Sequence, residues 1–239
     1  MSTSLRQSPG ARVGLSIAVA TGLYGVSFGA LSVASGLDVW QTQLLSLLLF
    51  SGGSQFAFIG VIAGGGTPVA AASAAALLGI RNAVYGMQMN VLLQPRGWRR
   101  LAAAHVTIDE SLATSTGQTD PVEQKRGFWV AGVGIFVLWN LFTLVGALAG
   151  DALGDPKQWG LDGAAVAAFL ALLWPRLKDR RNVVVAVLAA AVALSMVPIA
   201  PPGVPVLAAG GVALLVGVLS RRDDPTEIPG PCDVAGGAG

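Results

Sequence analysis

Residues 69–93 read VAAASAAALLGIRNAVYGMQMNVLL, an apolar run in which Arg81 is the only charged residue. A helix crosses the hydrocarbon core of a bilayer with about 20 apolar residues, so this stretch predicts a transmembrane helix. A charge near the centre of such a helix costs about 2.5–3.5 kcal/mol on insertion scales. Arg81 therefore indicates either a structural role, such as pairing with a buried acid, or a binding role.

Comparable apolar runs occupy most of the chain. They cover residues 13–34, 44–63, 69–93, 128–149, 161–174, 183–199 and 204–219, and a shorter, more polar run covers 101–116. The pattern predicts an all-α polytopic membrane protein with about seven transmembrane helices, within a range of six to eight. We expect a short N-terminal segment over 1–12, one transmembrane domain over 13–220 and a disordered tail over 221–239.

The composition excludes several classes of protein. Only 12% of residues are charged against 53% that are hydrophobic, whereas soluble domains average about 25% charged residues. A net charge of +2 gives no basic face for nucleic acid. With one cysteine and one histidine, no disulfide, zinc or iron–sulfur site is expected. No catalytic or nucleotide-binding motif is present, so we expect neither an enzyme nor a cofactor.

The distribution of basic residues predicts the topology. Thirteen of the fifteen basic residues fall in five clusters, at residues 6–12, 96–100, 125–126, 176–181 and 221–222. The positive-inside rule places these clusters, and both termini, in the cytoplasm. Residues 44–93 must then cross an odd number of times, so they hold a broken or re-entrant segment. The polar helix at 101–116 must begin and end inside, and it either enters the bundle or lies along it.

Three groups of polar residues are candidates for a site. Arg81, Tyr85 and Gln88 share one face of a helix at spacings i, i+4 and i+7. Ser54 and Gln55 follow two glycines, which predicts an unwound point that exposes backbone groups. Small-residue packing is the alternative there.

The third group lies in the polar helix. His105 and Asp109 are i, i+4 neighbours, Glu110 points about 100° away from Asp109, and Thr107 could cap a break in the helix. Either acid could bind an amine or carry a proton. The alternative is an interfacial helix whose acids are solvated.

The chain resembles the AzlC family of branched-chain amino acid permeases. The motifs that carry the likeness are Gly25–Gly29, Ser54–Phe56, Arg81–Gly86 and Ile108–Ser111, with a fainter match at Leu161–Gly163, Leu170–Leu173 and Pro175. Two positions depart from the family pattern, where Asn usually stands at Gly79 and His at Asn82. These departures point to a substrate shifted within or beyond the branched-chain class.

The resemblance implies a multi-pass protein of the bacterial inner membrane that exports leucine, isoleucine, valine or similar amino acids. It also implies a small hydrophobic AzlD-like partner. We expect a secondary transporter driven by the proton motive force, in which Arg81 or a helix N-terminus receives the carboxylate and Asp109 or Glu110 receives the ammonium. The alternatives are a non-transporting scaffold subunit and a transporter of another small solute.

Overall fold

The computed structural model describes residues 8–152, 170, 173–201 and 204–222. These residues form α-helices and one short 3-10 helix, Trp174–Lys178, and contain no strand. In chain order the α-helices are α1 (Pro9–Ala34), α2 (Val39–Leu48), α3 (Gly52–Ala63), α4 (Pro68–Leu93), α5 (Trp98–His105), α6 (Asp109–Thr116), α7 (Pro121–Ala152), α8 (Arg180–Met196) and α9 (Val204–Arg222). The prediction of an all-α protein is confirmed for this part of the chain.

Three helices of the described ranges, α1, α4 and α7, are long and apolar enough to cross a membrane. They contain the predicted runs 13–34, 69–93 and 128–149. The run 44–63 and the run 204–219 lie in shorter apolar helices. The predicted run 161–174 and the predicted tail 221–239 fall almost wholly outside the described residues, so the count of seven spans stays a prediction.

The long helices begin where local chemistry supplies their free N–H groups with acceptors. The Ser8 hydroxyl accepts a hydrogen bond from the Ala11 N–H, and Pro9 occupies the first turn of α1. The Thr67 hydroxyl accepts from the Ala70 N–H at the start of α4, which Pro68 opens. A capping hydroxyl followed by proline is a strong helix start, because proline needs no acceptor there.

α1 and α7 pack against each other along their length as a parallel pair. A Cβ added at a glycine of α1 would meet atoms of α7. The Cβ at Gly14 would meet Gly127, the Cβ at Gly25 would meet Trp139, and the Cβ at Gly29 would meet Thr143. The residue numbers of both helices increase in the same direction along the contact, so the two helices are parallel. Small residues at such a contact let the two backbones approach closely, which is how helices associate in lipid.

Three of the predicted cytoplasmic clusters meet at one end of the bundle, which we call the basic end. At the start of α1 the Gly10 N–H donates to the Glu123 carboxylate at 3.0 Å, which places the N-termini of α1 and α7 together. Arg96 and Arg99, after α4, line one cavity with Lys125 of α7. The other end of the bundle is called the far end.

α2 and α3 form a hairpin that enters from the far end and returns to it. Near the start of α2, the Thr42 hydroxyl lies 2.8 Å from the Ser32 hydroxyl in the last part of α1. Near the end of α3, Ile62 shares a cavity with Leu37, which follows α1. The predicted re-entrant segment within 44–93 therefore lies in the run 44–63, with its turn at residues 49–51. The glycines and Ser54–Gln55 are not unwound, since they form the first turn of α3.

α5 and α6 form a second hairpin, which enters from the basic end. α5 begins beside Trp129, and α6 returns to Thr114, against which a Cβ at Gly127 would pack. The segment begins and ends at one end, as the basic clusters predicted. The expected single helix at 101–116 is wrong, because the chain breaks at residues 106–108. His105 and Asp109 consequently lie on different helices, and the i, i+4 relation between them does not hold.

The break between α5 and α6 is stabilised by side-chain hydroxyls. The Thr107 hydroxyl donates to the Ala103 carbonyl at 2.6 Å, which satisfies an acceptor at the end of α5. The Ser111 hydroxyl accepts from the Ile108 N–H and donates to the Val106 carbonyl. Thr107 therefore caps the α5 side of the break, as the sequence analysis allowed, and Ser111 serves the α6 side by accepting from Ile108, which precedes that helix.

Candidate functional site

The turns of the two hairpins meet in the middle of the bundle and enclose a cavity of about 270 Å3, which we call the central cavity. Phe50, at the turn of the first hairpin, contacts the ring of His105 at the end of α5, with ring centroids 6.0 Å apart. The cavity lies at the midpoints of the long helices, because Tyr24 of α1, Arg81 of α4 and Trp139 of α7 all line it. Non-helical backbone at this depth is tolerated where it is buried in protein or lines a cavity.

An ion pair joins α4 to the second hairpin across the central cavity. Arg81 Nη1 lies 2.9 Å from Asp109 Oδ2, and about a third of each side chain remains accessible. This ion pair is the structural role that the sequence analysis considered for Arg81, because a charge in the membrane needs a compensating partner. Glu110, the next residue of α6, also lines the cavity. Among the residues that the structure describes, the wall of the central cavity therefore carries one cation and two carboxylates.

The first hairpin brings its two glycines against the ion pair. Gly52 and Gly53 line the central cavity at the first turn of α3. A Cβ at Gly53 would lie 2.9 Å from Arg81 Nη2, so only glycine leaves the guanidinium in its present place. The Ser51 hydroxyl donates to the Ser54 hydroxyl at 3.2 Å and accepts no hydrogen bond from the backbone of α3, so the first N–H groups of α3 have no capping side chain and suit an anionic group.

Four polar side chains that line the cavity have a buried atom with no hydrogen-bond partner among the described residues. These atoms are Tyr24 Oη, Arg81 Nε, Asn82 Oδ1 and Trp139 Nε1. Trp139 is only 3% exposed, so its N–H has little access to solvent. A buried polar atom without a partner costs about 1–3 kcal/mol. Three donors and one acceptor left open at one cavity indicate a site for a small molecule that carries both acceptors and donors.

Apolar side chains form the remaining wall. Phe56, Leu78, Ile108 and Ile135 line the cavity beside the polar groups. The ring of Phe56 packs against those of Tyr24 and Trp139, with centroids 5.6 and 6.5 Å apart. The site thus combines a few polar groups with an apolar surface, which is the usual composition of a small-molecule site.

Four of the eight candidate residues from the sequence, Arg81, Asn82, Asp109 and Glu110, line the central cavity. Ser54 and Gln55 are fully buried behind it, where the Gln55 amide donates to the Ser46 carbonyl at 3.3 Å.

Tyr85 and Gln88 do not line the cavity, so the proposed stripe with Arg81 does not form one surface. The reason is that α4 continues past the cavity toward the basic end, and only its central turns lie at the level of the two hairpin turns.

Sequence reasoning did not single out Trp139, and it counted Tyr24 only among scattered polar residues that mostly satisfy neighbouring helices. It also missed a polar seam that holds α2 against α7. In that seam the Gln43 amide donates to Asn140 Oδ1 at 3.4 Å, and the hydroxyls of Ser46 and Thr143 lie 3.5 Å apart. A tryptophan followed by asparagine inside the run 128–149 was the available signal. Among the described residues, no group of histidine, cysteine or acidic side chains could hold a metal ion.

A family model described as AzlC protein matches residues 16–153. The chain belongs to the AzlC family. The match covers α1 from Ser16 onward and all the following helices through α7, so it takes in both hairpins and every wall of the central cavity except the contribution of Leu173.

Relatives of this AzlC chain are found in archaea and bacteria. A protein of Archaeoglobus fulgidus is 32% identical over 171 residues, which cover 71% of this chain and 74% of the relative. A protein of Helicobacter pylori is 25% identical over 162 residues, covering 67% of this chain and 71% of the relative. Both are described as uncharacterized membrane proteins, and no solved structure matches. The comparisons establish an AzlC-family membrane protein, for which a role related to membrane transport is indicated.

Proposed function

We propose that this protein is a secondary transporter that exports branched-chain or similar apolar amino acids through the central cavity. The observation that carries the proposal is the cavity itself. It lies at mid-depth between two opposed hairpins, and it joins the Arg81–Asp109 ion pair to four buried polar atoms without partners. Transporters place substrate sites near the bilayer midplane, where interrupted helices expose their ends.

The polar groups match the two charged ends of a free amino acid. The carboxylate is received by the free N–H groups at the start of α3 and by the Arg81 Nε–H beside them, because guanidinium and backbone N–H groups both favour anions. The ammonium is received by Glu110, with the unpartnered Asn82 oxygen as a second acceptor. Asp109 holds the Arg81 guanidinium in place until the substrate arrives.

The apolar wall receives the aliphatic side chain. An apolar wall discriminates weakly, by about 1–3 kcal/mol for each methylene, so we expect leucine, isoleucine, valine and methionine to share the site. Asn82 is one of the two departures from the family pattern, and it faces the substrate. Gly79 does not line the cavity, but a Cβ there would pack 3.6 Å from the Ser54 hydroxyl, next to the first turn of α3.

Three further elements of the proposal rest on the family and on the sequence. We place the protein in the bacterial inner membrane with both termini in the cytoplasm, and with the basic end on the cytoplasmic side. We assign it a small hydrophobic AzlD-like partner and coupling to the proton motive force, with Glu110 or Asp109 as the proton carrier. It acts without a catalytic step or a cofactor.

The test is efflux of labelled leucine from preloaded proteoliposomes, measured with the chain alone and with its small partner. A proton gradient is imposed or omitted in each case, and the Arg81→Ala protein is the matched inactive control. Efflux that requires Arg81 and responds to the gradient supports transport and coupling. Absence of efflux of leucine, isoleucine, valine and methionine from verified folded protein, with and without the partner, would overturn the proposal and favour a scaffold subunit or another solute.

A further inference from the structure

A second cavity lies between α4 and α5, on the side of the central cavity that faces the basic end. Its volume is about 470 Å3. Asn82 and Gly86 of α4 and Thr107, after α5, line its inner part, while Asn90 and Arg100 line its outer part. We call this space the side cavity. It follows α5 along the whole depth that the second hairpin occupies.

The two cavities share one residue, Asn82. The Asn82 carboxamide therefore forms part of the wall between them, and its buried oxygen has no hydrogen-bond partner in the part of the chain that the structure describes. A side chain amide can rotate without breaking any hydrogen bond of that oxygen. Met87 and Met89, which also line the side cavity, have flexible side chains that adapt to molecules of different shape.

Arg100 is the basic residue of the side cavity, and no carboxylate of the described residues forms an ion pair with it. Its neighbour Arg99 lines a different cavity, with Lys125 and Trp129. A cation at the mouth of a cleft raises the local concentration of anionic groups and orients them. For an amino acid, the group that Arg100 attracts is the carboxylate.

We infer that the side cavity is the route by which the amino acid reaches the central cavity from the basic end, with Arg100 capturing its carboxylate at the mouth and Asn82 forming the partition. The inference rests on the proposed function and adds a path, a capture residue and a partition to it. The substrate enters with its carboxylate toward Arg100, passes Asn82, and exchanges Arg100 for the groups at Arg81 and the start of α3.

The first experiment compares two adjacent arginines on one helix. In Arg100→Ala, the KM for leucine presented at the basic face is expected to rise about tenfold, the low end for a charge-assisted hydrogen bond, with kcat nearly unchanged. In Arg99→Ala, both constants are expected to stay within about twofold, since a distant surface charge contributes little. Equal KM values for the two variants would overturn the capture role of Arg100.

The second experiment tests the path. The single native cysteine is replaced by Cys232→Ser, and Asn90→Cys or Val91→Cys is added. Asn90 lines the side cavity, whereas Val91 is 72% exposed on the outside of the helix and lines neither cavity. The charged thiol reagent 2-sulfonatoethyl methanethiosulfonate, which does not cross membranes, is applied to each face in turn. Modification is read by mass spectrometry and efflux is measured afterwards.

The expected result is that Asn90→Cys is modified from the basic face only and then loses efflux, while Val91→Cys keeps it. A thiol at position 90 that stays unmodified, or that is modified without loss of efflux, overturns the route. If the parent Cys232→Ser protein shows no efflux of any tested amino acid, the proposed function fails and the route fails with it. The labelling distinguishes the two failures, because it reports access to the cavity independently of transport.

Discussion

Replacing Gly53 by alanine tests whether the position of the Arg81 guanidinium matters. The added Cβ would lie 2.9 Å from Arg81 Nη2 and 3.7 Å from Leu78 Cδ2. Ordinary van der Waals contact begins near 3.4 Å, so the guanidinium must move by about 0.5 Å. The obstructing atom is the far end of a flexible side chain, so the movement costs the fold little.

The movement weakens the ion pair between Arg81 and Asp109 more than it destabilises the fold. The guanidinium is a rigid plane, so a shift of Nη2 carries Nη1 with it. The contact to Asp109 Oδ2 then lengthens from 2.9 Å to about 3.4 Å, outside the range of about 2.7–3.2 Å for a good hydrogen bond. Hydrogen bonds to charged groups contribute about 1.5–3 kcal/mol. The low end suits a partly accessible pair and corresponds to roughly a tenfold change in rate.

The matched control is Gly52→Ala. At Gly52 the nearest atom to an added Cβ is Trp139 Cη2, at 3.8 Å, which is ordinary contact. Both substitutions place alanine in the first turn of α3, so both bring the same favourable helix propensity of up to about 1 kcal/mol. The difference between the two variants therefore isolates the contact with Arg81.

The assay measures leucine efflux from proteoliposomes beside the melting temperature of the protein in detergent. Gly53→Ala is expected to lose about tenfold in efflux, with a melting temperature equal to that of the native protein or higher. Gly52→Ala is expected to keep its efflux, with a melting temperature that is likewise equal to that of the native protein or higher. Equal efflux from the two variants would refute the reasoning, since Arg81 would then act without a fixed position.

Four other substitutions, and one control, test separate parts of the structure. Arg81→Ala and Asp109→Asn are each expected to lower efflux at least about a hundredfold at unchanged membrane abundance. The reason is that each substitution leaves the opposite charge unpaired in the membrane. Transport at the native rate by either variant would contradict the site. Trp139→Phe keeps the ring and removes the N–H donor, so the KM for leucine should rise roughly threefold to tenfold, and an unchanged KM would show that the substrate makes no use of it. Gly146→Ala places a Cβ against the backbone of α1, so it should lower the free energy of unfolding by about 1–3 kcal/mol and the melting temperature with it. The control is Gly86→Ala, where no atom lies within 4 Å of the added Cβ and no such loss is expected. Equal melting temperatures would mean that α1 and α7 can move apart without cost.

The arrangement of the hairpins could be predicted because charge and length each constrain the topology. The positions of the basic clusters required an odd number of crossings between 44 and 93 and no net crossing between 101 and 116. Three of those clusters do meet at one end of the bundle, and the segments 44–63 and 101–116 each return to the end from which they entered. That inference needed no knowledge of packing, since it used only the cost of moving charged groups through lipid.

The membership of the site was harder to predict, because a helical wheel shows which residues share a face but not which face meets a cavity. Arg81, Tyr85 and Gln88 lie on one stripe of α4, yet only Arg81 reaches the level of the hairpin turns. The partner of Arg81 belongs to a hairpin whose break at 106–108 interrupts the local periodicity. Trp139 and Tyr24 are residue types that also occur in ordinary protein cores. Only the lack of a hydrogen-bond partner for one polar atom of each, among the described residues, marks them as part of a site.

The order of the elements has a consequence for the two faces of the membrane. α1 and α4 each have 26 residues, and each is followed by a hairpin at the end where it emerges. Pro68 opens α4 59 positions after Pro9 opens α1, and Trp98 opens α5 59 positions after Val39 opens α2. The two units run in opposite directions, which is the order and direction of an inverted repeat. In a transporter with this arrangement, the outward-open and inward-open states are the same architecture with the roles of its two halves exchanged, so under the proposed function one set of helix packings would serve both sides of the membrane.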